Sequence, residues 1–158
     1  MDAAAKKDLL RRLPFGLFAV TVADGATSNA FTANWLTQAA FEPPMIMVAV
    51  ENEGRSIAMI RASGVLAINL LGEDQRDLAG QLGRSFARNP HKLDGVPHHP
   101  APNGCPILDV ALGWLACRVT GELPAGDHTV FVAEITDAGI LHEGALLTMA
   151  VAGFRYSG

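Results

Sequence analysis

ALGWLACRVTGELPAGDHTVFVAEI, residues 111–135, is the stretch of this chain that decides its fold. Residues 112–123 and 129–135 are rich in β-forming side chains and flank a Pro-Ala-Gly-Asp-His turn at 124–128. No helix separates the two runs, so the pattern predicts that they pair as an antiparallel hairpin.

Short strands and turns also account for the rest of the chain. Further strands are predicted at 16–23, 29–34, 45–50, 65–71 and 145–150. Asp24-Gly25 predicts a hairpin between the first two, and the apolar runs 45–50 and 65–71 predict strands buried on both faces. Helices are predicted at 3–13 (before Pro14), at 56–62 (capped by Ser56, ending near Gly64) and at 74–88. The fold class predicted is mostly β, an antiparallel barrel with a few short helices, and not a doubly wound parallel sheet.

Length, charge and composition narrow the function classes. The chain has 158 residues, a length that predicts one domain spanning 1–158, and its formal net charge is −4. It has no basic face for nucleic acid, no apolar run long enough for a transmembrane helix, and no apolar core in the start MDAAAKKDLLRRL for a secretory signal. We expect a cytoplasmic protein without nucleic-acid or membrane partners, in which Cys105 and Cys117 are ordinary thiols.

Several common site motifs are absent from the sequence. It contains neither of the usual nucleotide-binding glycine loops, no zinc-protease helix motif and no serine-hydrolase elbow. His91, His98 and His99 lie in the Pro-rich segment 89–106, which is predicted to be a long loop of unassigned role. No cysteine pair accompanies these histidines with the spacing of a metal site, and we predict none.

Two segments and one histidine carry candidate binding chemistry. In 31–38, small residues allow close approach of a flat ligand, while Thr32, Asn34, Thr37 and Gln38 offer hydrogen bonds. In 52–56, a helix start beside Arg55 and Ser56 has the donors that a phosphate needs. His128, in the turn of the opening stretch, is placed to contact a ligand or handle a proton. The alternatives are a polar strand end, an ordinary helix cap and a surface turn.

Taken in order, the segments resemble the flavin reductase-like family, whose fold is the FMN-binding split barrel. The matching pieces run from about Leu13 to the C-terminus. They are LPFGLFAVTVADG (13–25), AFTANWLTQAAFEPPMIMVAV (30–50), GRSIAMIRASGVLAINLL (54–71), LDGV (93–96) and the opening stretch 111–135. Single pieces are common, but the ordered set is specific.

The resemblance implies a homodimer with one flavin per subunit. By matching motif, Thr32, Ala33, Asn34 and Trp35 would line the flavin ring and ribityl chain, with Thr37 and Gln38 close behind. Segment 52–56 would supply Asn52, Arg55 and Ser56, the last two to the phosphate. His128 would lie near both flavin and nicotinamide as the catalytic residue, and Phe86 and Tyr156 would form the pocket rim. Two departures from the family pattern are Ala39-Ala40 and the ending LLTMAVAGFRYSG.

The function implied by the resemblance is hydride transfer from NADH or NADPH to FMN, or to FAD, with release of the reduced flavin to a separate monooxygenase. In such chemistry the cofactors react and the protein supplies position and electrostatics. The alternative is an FMN-binding module for electron transfer or flavin storage, since one fold hosts several functions. A third interpretation is a flavin-free protein that uses the barrel for another ligand. The sequence distinguishes neither FMN from FAD nor NADH from NADPH.

Overall fold

Nine strands and four α-helices are present in the computed structural model, which describes residues 1–156. The strands are β1 Phe18–Asp24, β2 Thr27–Ala33, β3 Leu36–Ala40, β4 Met45–Glu51, β5 Val65–Leu70, β6 His98–Pro100, β7 Pro106–Leu108, β8 Gly113–Ala125 and β9 His128–Ile140. The helices are α1 Ala3–Arg11, α2 Arg55–Ser63, α3 Arg76–Leu82 and α4 Met149–Ala152, with a 3₁₀ turn at Glu73–Gln75.

Seven strands form one sheet in the order β2-β1-β5-β8-β9-β4-β3, and every pairing is antiparallel. The sheet curls until β2 contacts β4, while β2 and β3 remain its two edges. The barrel is therefore not strictly closed. This confirms the predicted fold class. Strands β6 and β7 form a separate two-stranded sheet inside the segment that was predicted to be a loop.

The β8–β9 hairpin is the longest pairing, and it confirms the prediction made from residues 111–135. Each strand has 13 residues, so both extend beyond the predicted limits. Gly126 in the turn has φ +69°, a left-handed conformation that glycine adopts without strain. The turn brings Ala125 opposite His128, and on its other side β9 pairs with β4 so that Glu51 lies opposite His128.

Two apolar clusters lie on opposite faces of the central strands. One fills the barrel interior beneath α2 and includes Val20, Val48, Ile60, Ile68 and Phe131. The other lies under α3 and α4 and includes Leu17, Leu71, Leu82, Leu108 and Leu147. One face of β5, with Leu66 and Ile68, belongs to the first cluster, and β7 packs on its other face, so its central residues are buried on both faces as predicted.

Four sequence predictions are wrong in detail. Strand 45–50 is not buried on both faces, because Met47 on the outer face is 37% exposed beside the edge strand β3, which itself was missed. Ser56 does not cap α2, whose N-cap is Gly54. The helix predicted at 74–88 is only α3, preceded by the 3₁₀ turn and ended at Gly83. Residues 145–150 form isolated bridges at Leu146 and Thr148 and then α4, which begins where the Thr148 hydroxyl accepts from the Val151 N–H.

None of the helices in residues 1–156 combines the length and the apolar character needed to cross a bilayer.

Candidate functional site

Three of the predicted site residues form a ring cluster where β4 ends and β9 begins. The Trp35 ring centroid lies 4.7 Å from that of His128 and 5.4 Å from that of Tyr156. Trp35 follows the end of β2, His128 opens β9, and Tyr156 arrives from the C-terminal segment. The fold therefore brings together three side chains that are far apart in the sequence.

The ring cluster is joined to two carboxylates by hydrogen bonds. His128 Nδ1 lies 2.7 Å from Asp127 Oδ1, and His128 Nε2 lies 3.1 Å from the Tyr156 hydroxyl. Tyr156 in turn donates to Glu51 Oε1 at 2.6 Å. The bond to His128 lowers the pKa of Asp127, whereas burial, followed by the bond to Glu51, raises the pKa of Tyr156. The tyrosine is thus held in its protonated form.

Asn52 holds the turn that carries His128. Its side-chain amide donates to the Gly126 carbonyl at 3.0 Å, and its Oδ1 accepts from the Thr129 hydroxyl at 2.7 Å. Its backbone N–H donates to the Asp127 carbonyl at 3.0 Å. That Asn52 binds a cofactor stays a prediction; in this structure its side chain bonds Gly126 and Thr129, on either side of His128.

A second group of predicted residues lies at the start of α2. The Arg55 guanidinium carbon lies 4.5 Å from the centroid of the Phe86 ring. The Ser56 hydroxyl is buried and accepts from Asn29 Nδ2 at 2.9 Å. Gly54 has no side chain to cap the helix, so its N-cap residue supplies no side-chain acceptor to the N–H groups of the first turn. Arg55 and these N–H groups provide positive electrostatic potential at the helix start.

The end of β2 carries the predicted residues Thr32, Ala33 and Asn34. The Thr32 hydroxyl donates to the Ala79 carbonyl at 2.6 Å, so it ties the strand to α3. Ala33 packs into the barrel core. Asn34 is 7% exposed, and its side-chain nitrogen has no hydrogen-bond partner among the described residues. A buried donor without a partner typically costs about 1–3 kcal/mol. A ligand acceptor that bonded to Asn34 would remove this cost.

Thr37 and Gln38 differ from the buried candidates Asn34, Ser56 and His128. Both are exposed on the edge strand β3. The Thr37 hydroxyl donates to the Gln38 carbonyl and the Gln38 amide to the Ala40 carbonyl, both at 3.4 Å. The structure therefore places them on the outer edge of the sheet, with hydrogen bonds to their own strand.

Sequence reasoning missed four polar residues near these groups: Asn29, Glu51, Lys92 and Asp127. Glu51 reaches the cluster because the β4–β9 register sets it opposite His128, and no local signal reports a long-range register. Lys92 is buried in the segment predicted to be a loop, where its ammonium donates to the Leu82 carbonyl at 2.9 Å and burial lowers its pKa. Only Asn29, a polar residue inside a predicted strand, carried a sequence signal.

A groove of about 650 Å³ adjoins the ring cluster. It lies between the α1 end of the chain and the C-terminal segment, and it reaches the cluster through Tyr156. The other predicted cofactor residues lie outside its lining. Among residues 1–156, no three His, Cys, Asp or Glu side chains converge as a metal site would require.

Comparison with known proteins gives a consistent picture. The model of the flavin reductase like domain matches residues 10–156. A diflavin flavoprotein of a Synechocystis strain is 35% identical over 141 residues, which are 89% of this chain and 24% of that protein. The reductase subunit of a stachydrine N-demethylase from Rhizobium meliloti is 30% identical over 136 residues, covering 85% of this chain and 58% of that protein. The chain thus spans less than two thirds of each of these relatives.

Among solved structures, that of flavin reductase PheA2 in its native state is similar over nearly the whole chain. The TM-score is 0.81 at 26% sequence identity, and the match covers 94% of this chain and 93% of that one. The likeness agrees with the split-barrel type of fold that the sequence predicted.

Proposed function

Since this chain belongs to the flavin reductase-like domain family, we propose that it is an oxidoreductase that passes a hydride from NADH or NADPH to FMN or FAD. The observation that carries the proposal is the buried, unmet amide donor of Asn34, directly before the Trp35 ring that packs on His128. A polar donor beside aromatic rings suits a flat ligand that has carbonyl and ring-nitrogen acceptors.

The residues of the site fit the parts of a flavin. Asn34 would donate to an acceptor on the ring system, whereas Ala33 packs its side chain into the barrel core. Arg55 and the uncapped start of α2 would bind the phosphate, as helix N-termini commonly do. Ser56 already accepts a hydrogen bond from Asn29, so its own O–H proton remains available to the phosphate.

The chain's contribution to the reaction is position and electrostatics. A bound flavin would supply the two-electron acceptor for the nicotinamide hydride. Asp127 fixes the Nδ1 side of His128, and Asn52 holds the backbone of its turn. Trp35 and Tyr156 cover the histidine, which is 7% exposed, and limit the access of water. With its ring held in one orientation, His128 would contact the nicotinamide, where correct alignment lowers the barrier.

The partners of the reductase are also proposed. The relative from Rhizobium meliloti is the reductase subunit of a demethylase, which supports a reductase that works with a separate partner enzyme. We propose that this partner is a monooxygenase that receives the reduced flavin. Helix α1 buries none of its residues against the rest of the chain and exposes Leu9 and Leu10. A homodimer in which α1 packs on the second copy would cover these leucines. The single domain over 1–158 and the cytoplasmic location stay predictions.

The direct test is steady-state oxidation of NADH and of NADPH, with and without added FMN or FAD. Flavin-dependent turnover over many equivalents is the expected result, and it also gives both cofactor preferences. Tight flavin binding without turnover would favour the electron-transfer or storage module. No binding of either flavin would favour the flavin-free interpretation.

The role of His128 has its own test. His128→Ala should slow flavin reduction by NAD(P)H more than it weakens flavin binding, because the ring is assigned to the nicotinamide step. Stopped-flow reduction and flavin titration separate the two effects. An unchanged reduction rate with lost flavin affinity contradicts the assignment.

A further inference from the structure

The C-terminal segment, residues 153–156, brings Tyr156 to the ring cluster from the end of α4. Gly153 follows the last residue of α4 with φ +67°, a left-handed conformation that glycine adopts without strain. Tyr156 is 42% exposed, although its ring packs on Trp35 with 5.4 Å between the centroids. Because this packing covers only part of the ring, the position of Tyr156 also depends on what holds the residues before it.

Arg76, the first residue of α3, contacts both this segment and the end of α4. Its Nε donates to the Ala152 carbonyl at 2.7 Å, and its guanidinium carbon lies 5.1 Å from the centroid of the Phe154 ring. The carbonyl belongs to the last residue of α4, where the helix has no further turn to supply an N–H donor. A charged donor makes a stronger hydrogen bond to such a carbonyl than a neutral donor does.

Gly80 lets the Phe154 ring approach the backbone of α3. It lies four residues after Arg76, and residues at this spacing share one face of a helix. A Cβ atom at position 80 would lie 3.6 Å from Phe154 Cζ, so the tip of the ring is in contact distance of the helix at this point. Phe154 also packs against the apolar cluster under α3 and α4. One face of α3 therefore receives the Phe154 ring.

The same helix is bonded to the strand that leads to the opposite side of the ring cluster. The Thr32 hydroxyl donates to the Ala79 carbonyl of α3 at 2.6 Å, and Ala79 itself is fully buried. Thr32 is the next-to-last residue of β2, three positions before Trp35. α3 thus contacts both the strand end that leads to Trp35 and the segment that leads to Tyr156, and these two rings meet in the ring cluster.

We propose that Arg76 is a positioning residue for Tyr156: it holds the C-terminal segment on α3 so that the tyrosine ring stays packed on Trp35. Its effect passes through the Ala152 carbonyl and the Phe154 ring, which are the two groups that it contacts on that side. α3 then sets the spacing between the two ring-bearing parts of the site.

For its role in the reaction, the inference rests on the proposed function, in which His128 serves the nicotinamide step and Tyr156 covers it. The segment also lines the groove that adjoins the ring cluster. Asn34 and Arg55, which the proposed function assigns to the flavin, lie at the end of β2 and the start of α2. Loss of Arg76 should therefore weaken the binding of NAD(P)H and leave the binding of flavin unchanged.

The test uses the fact that Tyr156 is the only tyrosine in the chain. Tyrosine labelled with ¹³C in the ring therefore gives NMR signals from this residue alone. They are followed in the full chain, with neither flavin nor nucleotide added, together with the cross-peaks between the tyrosine ring and the Trp35 indole. A Trp35→Phe sample identifies that indole among the two tryptophans.

Three variants separate the contacts of Arg76. Arg76→Met removes the donor and the charge but keeps an unbranched side chain, whereas Arg76→Lys keeps the charge and loses the planar guanidinium. Asp77→Asn is the matched control, because it removes the exposed carboxylate that lies 3.5 Å from the guanidinium and leaves both contacts with α4 and the segment in place.

In Arg76→Met, the tyrosine signals should move toward their position in the urea-unfolded chain, and the cross-peaks to Trp35 should weaken. The ratio of docked to released segment should fall about threefold to tenfold, because the lost bond is charged but Arg76 is more than half exposed. Arg76→Lys should lie between Arg76→Met and the wild type, and Asp77→Asn should match the wild type. Wild-type signals in Arg76→Met, or an equal displacement in Asp77→Asn, overturn the proposal.

Phe154→Leu examines the second contact, and it replaces Arg76→Met if that variant does not fold. Leucine keeps an apolar side chain in the cluster but removes the ring on which the guanidinium packs. The Tyr156 signals should move in the same direction as in Arg76→Met. Unmoved signals in Phe154→Leu overturn the proposal.

The two proposals fail separately. The NMR result needs no flavin, so displaced signals in a protein that does not oxidise NAD(P)H contradict only the proposed function. Flavin-dependent turnover with wild-type signals in Arg76→Met contradicts only the positioning role. If both hold, Arg76→Met should raise the KM for NAD(P)H by about threefold to tenfold while the flavin Kd stays unchanged. An unchanged KM alongside displaced signals overturns the role of Arg76 in the reaction.

Discussion

Asn69 lies on β5 and Asn34 follows the end of β2, and both side-chain amides are buried. The two amides differ in their hydrogen bonds. Asn69 is fully buried, its Nδ2 lies 3.3 Å from the Ala19 carbonyl and from the Thr21 hydroxyl, and its Oδ1 accepts from the Leu108 N–H at 2.8 Å. Asn34 is 7% exposed, and its Nδ2 has no partner among the described residues.

The contrast separates a structural amide from a binding amide. Asn69 joins β1, β5 and β7, and so ties the small β6–β7 sheet to the barrel. β6 and the first residue of β7 lie in segment 89–106, so this part of the segment has a structural role. Among the described residues Asn34 makes no such connection through its nitrogen, yet its side chain, one position before Trp35 in the sequence, is buried. A buried donor left open in this way is stabilised when a ligand supplies the acceptor.

The largest expected effect is on stability, at Asn69. Asn69→Ala leaves the Leu108 N–H and nearby acceptors unsatisfied, and it creates a cavity. We expect the free energy of unfolding to fall by about 3 kcal/mol. Urea unfolding followed by circular dichroism measures it. A loss below about 1 kcal/mol would contradict the structural role of Asn69.

The next effect is on ligand binding, at Arg55. Arg55→Ala should weaken FMN binding by about tenfold or more, since a hydrogen bond to a charged group contributes about 1.5–3 kcal/mol. Riboflavin, which lacks the phosphate, is the matched control and should bind both proteins equally. Fluorescence titration of the two ligands gives the ratio. Equal losses for FMN and riboflavin would place the phosphate elsewhere.

A smaller effect is expected at Asn34. Asn34→Ala should weaken flavin binding by about threefold to tenfold, which corresponds to one neutral hydrogen bond of about 1 kcal/mol. The unfolding free energy of the flavin-free protein should stay within about 1 kcal/mol of the wild type, because the variant removes a donor that has no partner. A variant that loses stability in the manner of Asn69→Ala, with normal flavin affinity, would contradict the distinction between the two amides.

The last test needs no substitution and uses the pH dependence of stability that the two thiols cause. Burial raises the pKa of Cys105, next to the Asn69 network, to about 11, and that of Cys117 to about 12. Both stay protonated in the folded protein at pH values where the thiols of the unfolded chain, which have a pKa of about 8.5, already ionise. The folded state then binds more protons, so stability should fall as the pH rises from about 8.5 toward 11. Rapid reaction of both thiols with a disulfide reagent in the folded protein near neutral pH contradicts this burial.

The sequence predicted best where local chemistry decides the structure. The β8–β9 hairpin follows from two β-rich runs around a glycine turn, and the structure places Gly126 in that turn with positive φ. β3 was missed because its small and polar residues are exposed at a sheet edge and carry no alternating pattern. Residues 145–150 have strand-like composition, but the Thr148 cap starts α4 instead.

Three residues of the candidate site were named from the sequence, but the contacts that connect them were not. Trp35, His128 and Tyr156 were all named from the family resemblance, and the fold brings their rings together. Glu51 depends on the register of β4 against β9, which forms only in the folded chain. The difference between Asn34 and Asn69 likewise depends on which partners tertiary packing delivers to each amide.

The most direct test of the account is to titrate FMN, and then FAD, into the ¹⁵N-labelled protein while following the side-chain NH₂ signals of Asn34 and Asn69. Because the Asn34 donor has no partner among residues 1–156 and the Asn69 amide has several, the Asn34 signals should move in proportion to flavin bound, while those of Asn69 stay in place. Movement at Asn69 with an unchanged Asn34, at saturating flavin, would contradict the assignment of the flavin site to the end of β2.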